Sequence, residues 1–200
     1  MPVLDDGYHS LPPGKLASVV TTLAMTARPV PRAERAFDGV ALRAIAPAAR
    51  DLGWYRALYR RVGEEWLWFS RLRMPDADLL QILGDPAVAV YALSLDGLDE
   101  GLLELDFRTA GECELAFFGL TAAARGRGAG RWLMNRALEL AWSAPVQRVW
   151  VHSCTLDHPA ALAFYRRSGF IPVSRQVEVA DDPRLTGTLD AGAAPELPLL

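Results

Sequence analysis

The segment LTAAARGRGAGRWLM (120–134) is the part of this chain with the fewest structural options. An alternating apolar stretch runs into it, and an amphipathic helical pattern leaves it. Between them, three glycines and three arginines fill positions 125–131 together with Ala129. Glycine permits left-handed backbone and close approach of a ligand. The first N–H groups of a helix have no partner within the helix, and the helix dipole adds partial positive charge there. A strand, a glycine-rich turn and an immediate helix therefore make a cradle for a phosphate. The dinucleotide-binding pattern would need glycine in place of Arg131, and it belongs in an early βαβ unit. The nucleotide-triphosphate loop would need Gly-Lys-Ser/Thr, which is absent. What stands here is Arg-x-x-Gly-x-Gly, at Arg125, Gly128 and Gly130.

Composition narrows what such a cradle can serve. Two hundred residues, half of them apolar, suit one domain with a full core. The formal charge is −3 and Lys15 is the only lysine, so the chain is not built to neutralise a nucleic-acid backbone. A small anion held at one place is the better expectation. Cys113 and Cys154 are too few for a disulfide framework. With no signal-peptide pattern and no apolar run long enough to span a bilayer, a soluble, cytoplasmic protein without membrane contact is expected.

Along the chain, KLASVVTTLAMT (15–26) reads as a strand-like N-terminal arm and FDGVALRAIA (37–46) as a first core strand. Residues 47–83 read as helical: one piece ends at Gly63, EEWLWFSRL (64–72) forms a second, and MPDADLLQIL adds a turn or two with Asp76 or Asp78 as caps. The period then changes to two in AVAVYALSL (87–95), GLLELDFRT (101–109) and ECELAFFGL (112–120). GRWLMNRALELAW (130–142) is a helix with Leu133, Ala137, Leu140 and Ala141 as its apolar stripe and Arg131, Asn135 and Glu139 as a polar edge. QRVWVHSC (147–154) is a strand. PAALAFYRRS is a helix opened by Pro159 and closed by Gly169, and FIPVSRQVEVA (170–180) is a last strand, which Pro172 assigns to an edge or a bulge. The order predicts an α/β (α+β) fold: a mixed, mostly antiparallel sheet flanked by helices.

The Arg-x-x-Gly-x-Gly turn resembles that of the GNAT superfamily of acetyl-CoA-dependent N-acetyltransferases, where it binds the coenzyme pyrophosphate. A second signature follows: HPAALAFYRRSGF (158–170) is similar to the family's Asn-x-x-Ala-x-x-x-Tyr-x-x-x-Gly-Phe helix, with Ala161, Tyr165, Gly169 and Phe170 matching and His158 in place of the usual Asn. The resemblance covers about Phe37 to Ala180. It implies a GNAT domain over 37–180, an N-terminal arm with an extra strand over 1–36 and a C-terminal tail over 181–200. It implies acetyl-CoA as co-substrate, with no metal, held by Leu120, Thr121, Arg125, Gly126, Arg127, Gly128, Ala129, Gly130, Arg131, His158, Ala161, Phe164 and Tyr165. The N–H groups from Gly126 to Arg131 would take the pyrophosphate, and a strand N–H the oxyanion. Tyr165 would be the acid that protonates the departing thiolate.

Acetyl transfer to an amine needs the amine neutral, and an alkylammonium is only about 0.04% neutral at pH 7, equivalent to roughly 4.6 kcal/mol. A base is required, direct or through water. Glu114 is the candidate, on the strand feeding the cradle, where many family members carry a catalytic glutamate. Period two would put Glu112, Glu114, Ala116 and Phe118 on one face, and Cys113, Leu115 and Phe117 on the other. A three-residue turn at 109–111 would set Arg108 opposite Glu112, Asp106 opposite Glu114 and Glu104 opposite Ala116. Glu104, Asp106 and Glu114 would then form an acidic patch with at least one raised pKa, suited to a cationic amine. His152 is a candidate auxiliary base. A zinc site at His152, Cys154, Asp157 and His158 matches no usual spacing, and capping accounts for the last two. Trp66, Trp68, Phe69, Arg71 and Arg73 lie on the helical insert that covers the acceptor side in this superfamily. The expectation is an N-acetyltransferase for a small-molecule or peptide primary amine. A coenzyme-binding module without turnover (a sensor or interaction subunit), a longer acyl donor, and a homodimer built on the edge strand or the arm are the alternatives.

Overall fold

The computed structural model describes residues 4–34, 38–47 and 51–200. Phe37, the first residue of the expected strand, residues 48–50, and the expected boundary at 36/37 lie outside the described residues. Seven strands form one sheet: β1 Lys15–Met25, β2 Val40–Ile45, β3 Val88–Leu95, β4 Leu98–Asp106, β5 Glu112–Leu120, β6 Arg148–Cys154 and β7 Ile171–Asp181. Their order is β2-β3-β4-β5-β6-β1-β7, and every pairing is antiparallel except β5 with β6. The N-terminal strand is thus interior to the sheet, and β7 is an edge, in keeping with Pro172.

Helices α1 Leu52–Gly63, α2 Ser70–Arg73 and α3 Asp76–Gly84 cover one face over β3 and β4, and α4 Ala129–Ala141 and α5 Ala161–Arg167 lie on the other. Asp51 caps α1, its side chain accepting from Trp54 N–H. Pro75 takes the cap position of α3, so Asp76 and Asp78 fall in its first turn, where their charge meets the helix dipole. On α4, Leu133, Met134, Ala137 and Ala141 are fully buried. Burying Leu133 and Met134 contributes about 1.5–3 kcal/mol each. Asn135, expected on a polar edge, is buried instead: its amide donates to Arg32 O (2.8 Å) and Glu34 Oε2 (2.6 Å), pinning the returning arm along α4.

The expected helix over 64–72 is broken. A 3-10 turn, Glu64–Trp66, ends at Leu67 with φ +53°. This turn lets Leu67 join Leu189, Ala193 and Ala194, while Trp68 packs back over Gly63, where any Cβ would stand 2.5 Å from the indole. The register of β4 with β5 also differs from strict period two. Asp106 does face Glu114, but a bulge places Glu104 opposite Phe117 and leaves Ala116 without a partner. One extra residue exchanges the faces beyond it. Phe118 therefore joins Cys113 and Leu115 in the core under α4, and Phe117 turns to Tyr59 and Trp68. Arg108 does not face Glu112. It folds onto Asp106, and Arg148 takes Glu112.

The C-terminal segment is docked. Arg184 and Asp182 form a buried pair (2.7 Å), and the same guanidinium reaches the carbonyls of Ala193, Ala194 and Leu197. Removing one partner of a buried, hydrogen-bonded pair leaves an uncompensated charge and unsatisfied carbonyls, a loss of about 3–5 kcal/mol. Arg184→Ala should accordingly lower unfolding free energy by about 3 kcal/mol or more in urea melts. Limited proteolysis should then cut first beyond residue 182.

Candidate active site

Parallel pairing of β5 with β6 extends only from Glu112/Arg148 to Glu114/Trp150. Beyond that point the two strands part, and main-chain groups of β5 on the β6 side have no strand partner. The gap opens into a groove of about 560 Å³, lined chiefly by aromatic and aliphatic side chains of β5, β6, α5 and the 64–70 turn. One end is the glycine-arginine turn. Gly126 (φ +75°) and Gly128 (φ +94°) are left-handed, which an L side chain resists by about 1–2 kcal/mol. Gly128 is the cap residue of α4. The N–H groups of Gly126, Gly128, Ala129 and Gly130 make no hydrogen bond to the described residues, whereas those of Arg131 and Trp132 bond to Gly128 O. Donors left without an acceptor at a helix mouth fit a diphosphate.

The expected coenzyme-binding residues divide. Leu120, Arg125, Gly126, Gly130, His158, Ala161, Phe164 and Tyr165 line the groove. Thr121 does not: it is buried, and its hydroxyl donates to Glu100. Ala129 is buried within α4, Arg127 and Gly128 lie outside the groove wall, and Arg131 turns to Ser168 Oγ (3.2 Å) over the Phe164 ring. Arg125 is bound to the Glu65 carboxylate and lies over Trp66, whose ring also meets His158 at 5.1 Å. Arg125, Trp66 and His158 thus bridge the mouth of the groove. His158 Nδ1 accepts from Ala160 N–H (3.0 Å) in the turn before α5, whose cap residue is Ala160 and which has no side-chain cap, so the capping role expected of His158 is not the one it takes. Asp157 instead accepts from Ser153 Oγ, Cys154 N–H and the Trp68 indole N–H, tying β6 to the turn that follows α1.

Of the three carboxylates expected as one patch, Asp106 stands opposite Glu114 but Glu104 does not join them, and each has a cationic or imidazole partner. Glu104 is fully buried, accepting from Arg71 Nη2 and Tyr55 O–H at 2.5 Å each. Burial pushes the Asp106 carboxyl up, but hydrogen bonds and charge from Arg108 more than offset this and hold it below its ordinary value. Glu114 Oε1 lies 3.4 Å from His152 Nδ1. The hydrogen bond that the imidazole donates to Glu114 raises the His152 pKa above the ordinary imidazole value, against the opposing effect of burial. His152, not Glu114, lines the groove. The sequence ranks Glu114 first and His152 as auxiliary, because the parallel pairing that sets Glu114 opposite Trp150, two residues before His152, cannot be read from either strand alone.

Tyr165 lies 7% exposed among Phe118, Phe164 and Phe170. Burial, with Asp157 nearby, raises its phenol well above 10, so it is a protonated donor at neutral pH. Burial and Asp157 also raise the Cys154 thiol, which keeps that groove residue out of its nucleophilic form. No group of three or more His, Cys, Asp or Glu among the described residues is placed to hold a metal ion, and no described helix is long and apolar enough to cross a membrane.

Residues 54–170 match the model of the acetyltransferase (GNAT) family, and the chain belongs to that family. Among solved structures, a GCN5-related N-acetyltransferase from Sphaerobacter thermophilus superposes with TM-score 0.58 at 18% identity, covering 82% of this chain and 52% of that one. An aminoglycoside acetyltransferase from an uncultured soil metagenomic sample, in complex with trehalose, gives 0.52 at 18%, covering 66% and 88%. AAC(6')-Iy, bound to the bisubstrate analogue CoA-S-monomethyl-acetylneamine, gives 0.52 at 17%, covering 68% and 94%. At these identities the likeness is one of fold. This chain spans about half the length of the first of these structures. No curated protein sequence matches.

The cradle separates two kinds of glycine. Gly128→Ala forces a side chain into left-handed backbone and should weaken acetyl-CoA binding about tenfold in calorimetric titration. Gly130→Ala, whose Cβ would meet only Leu120 Cδ1 at 3.7 Å, should stay within about twofold of wild type.

Proposed function

We propose that the protein is a cytoplasmic N-acetyltransferase that moves acetyl directly from acetyl-CoA to a primary amine, with His152 and Glu114 acting together as the base and Tyr165 as the acid. The observation that carries this reading is the convergence of an open main-chain cradle, the His152–Glu114 pair and the Tyr165 phenol on one groove. The diphosphate sits on the N–H groups of Gly126 to Gly130. The pantetheine arm runs between β5 and β6, where unpaired β5 main chain next to the Ala116 bulge offers hydrogen bonds to it and to the thioester oxygen. His152 takes a proton from the amine as nitrogen attacks the thioester carbon, and Glu114 holds the imidazole and stabilises its charged form. The C–S bond breaks and Tyr165 O–H protonates the departing sulfur. The raised Cys154 thiol supports direct transfer over an acetyl-enzyme.

The partnered carboxylates remove the argument for a polycationic acceptor. The acceptor end presents Tyr59, Trp66, Trp68, Phe69 and Val20, with Glu178 as a single carboxylate available to an ammonium group. We read the acceptor as a small amine carried on an aromatic or aliphatic body. Thiol release from acetyl-CoA should therefore be faster with arylalkylamines than with polyamines or aminoglycosides. The reverse order would reject this acceptor class. Tyr165→Phe should lower kcat about 10²–10⁴-fold with coenzyme affinity retained. Coenzyme binding without thiol release in wild type across the panel would favour the non-catalytic module.

The base makes a signed prediction about pH. Only neutral imidazole accepts a proton, so kcat/KM should rise with pH through the His152 pKa, which Glu114 places above the ordinary imidazole value. Glu114→Gln removes that charge, so the rising limb should move to lower pH while the plateau falls. An unmoved limb would assign the titration elsewhere.

A further inference from the structure

A second hollow, of about 160 Å³, lies beside the cradle on the far side of Arg131. The returning N-terminal arm contributes Arg28 and Arg32, α4 contributes Arg131, Asn135, Arg136 and the carboxylate Glu139, and the end of α5 contributes Ser168. Arg32 Nη1 donates to Arg167 O at 3.3 Å, which ties the arm to the end of α5, while Arg167 itself lines the neighbouring groove. Arg131 is the partition: its guanidinium lies 5.0 Å over the ring of Phe164, which lines the groove, while it donates to Ser168 Oγ in the hollow.

The charges here do not balance. Arg136 takes the acids, Glu34 at 2.7 Å and Glu139 at 3.8 Å. Arg28, Arg32 and Arg131 form no ion pair among the described residues. Burial, then the positive charges of Arg32 and Arg167, depress the Arg131 pKa. Like charges gathered on two separate segments, held there by Asn135 and the Arg32–Arg167 contact, gain from a shared dianion, which guanidinium groups grip through paired hydrogen bonds. The hollow has room for a phosphate group, not for a whole nucleotide. It lies one helical turn from the N–H groups that hold the diphosphate.

We propose that this hollow binds the phosphate monoester on the ribose of coenzyme A, so that Arg28, Arg32 and Arg131 form a third phosphate site built partly by the N-terminal arm. The proposal rests on the coenzyme reading above. A free phosphate has the same chemistry, and the experiment separates the two sources.

The test is calorimetric titration of the full chain with CoA, dephospho-CoA and inorganic phosphate at low ionic strength, for wild type, Arg28→Ala, Arg32→Ala and the double variant. Wild type should prefer CoA over dephospho-CoA by about tenfold or more, the worth of one or two charge-assisted hydrogen bonds. The preference should fall toward unity in the double variant, with affinity for dephospho-CoA unchanged as proof that the fold and cradle survive. Equal wild-type affinity for both coenzymes, or an undiminished preference in the double variant, would overturn the proposal and leave the coenzyme reading standing. Arginine-dependent binding of inorganic phosphate without discrimination between the coenzymes would also overturn it, assigning the hollow to a free anion. If neither coenzyme binds, the proposal and the coenzyme reading fail together.

Discussion

The parting of β5 from β6 after Glu114 and Trp150 is the constraint on which the rest of the structure depends. A parallel pair that stayed zipped to Leu120 would satisfy its own main chain and leave no groove. The pair opens where the bulge at Ala116 shifts β5 by one residue against β4. That shift sends Phe118 under α4, toward Phe164 and Tyr165, and Phe117 toward Tyr59, so each side of the gap acquires an aromatic wall. The unpaired polar main chain is left facing a space that a peptide-like ligand can fill.

The groove keeps its shape because charge is used structurally around it. Glu104 and Arg71 are buried together against Tyr55 and fasten α2 over β4. Arg73 reaches Thr186 and the Asp181 carbonyl, and Arg184 gathers the last carbonyls of the chain, so the C-terminal segment braces the turn that carries Trp66 and Trp68. Asp157 closes the circuit by receiving the Trp68 indole. An arginine-rich chain with a single lysine suits this work, since a guanidinium can bind several carbonyls or carboxylates at fixed angles.

Local signals in the sequence were legible wherever one residue type met a backbone requirement. The left-handed turn at Gly126 and Gly128, the helix after it, the β-hairpin register of Asp106 with Glu114, and the edge position of β7 all follow from short-range pattern. The readings that failed crossed long distances. Glu104 looked like part of an acidic face because its partner, Arg71, lies 33 residues upstream on another element. Residues 64–72 looked helical because the pull on Leu67 comes from Leu189, Ala193 and Ala194.

By itself, the sequence determined most of the elements and their order, the glycine turn at 125–131 and the helix after β6 that carries Tyr165, because glycine conformation and apolar period act within a few residues. Only the tertiary structure decided that the N-terminal strand enters the sheet between β6 and β7, that His152 stands between Glu114 and the groove, and that arginines from the arm gather beside Arg131. Strand order and charge pairing are settled by which surfaces bury together, and that energy belongs to contacts between residues far apart in the chain.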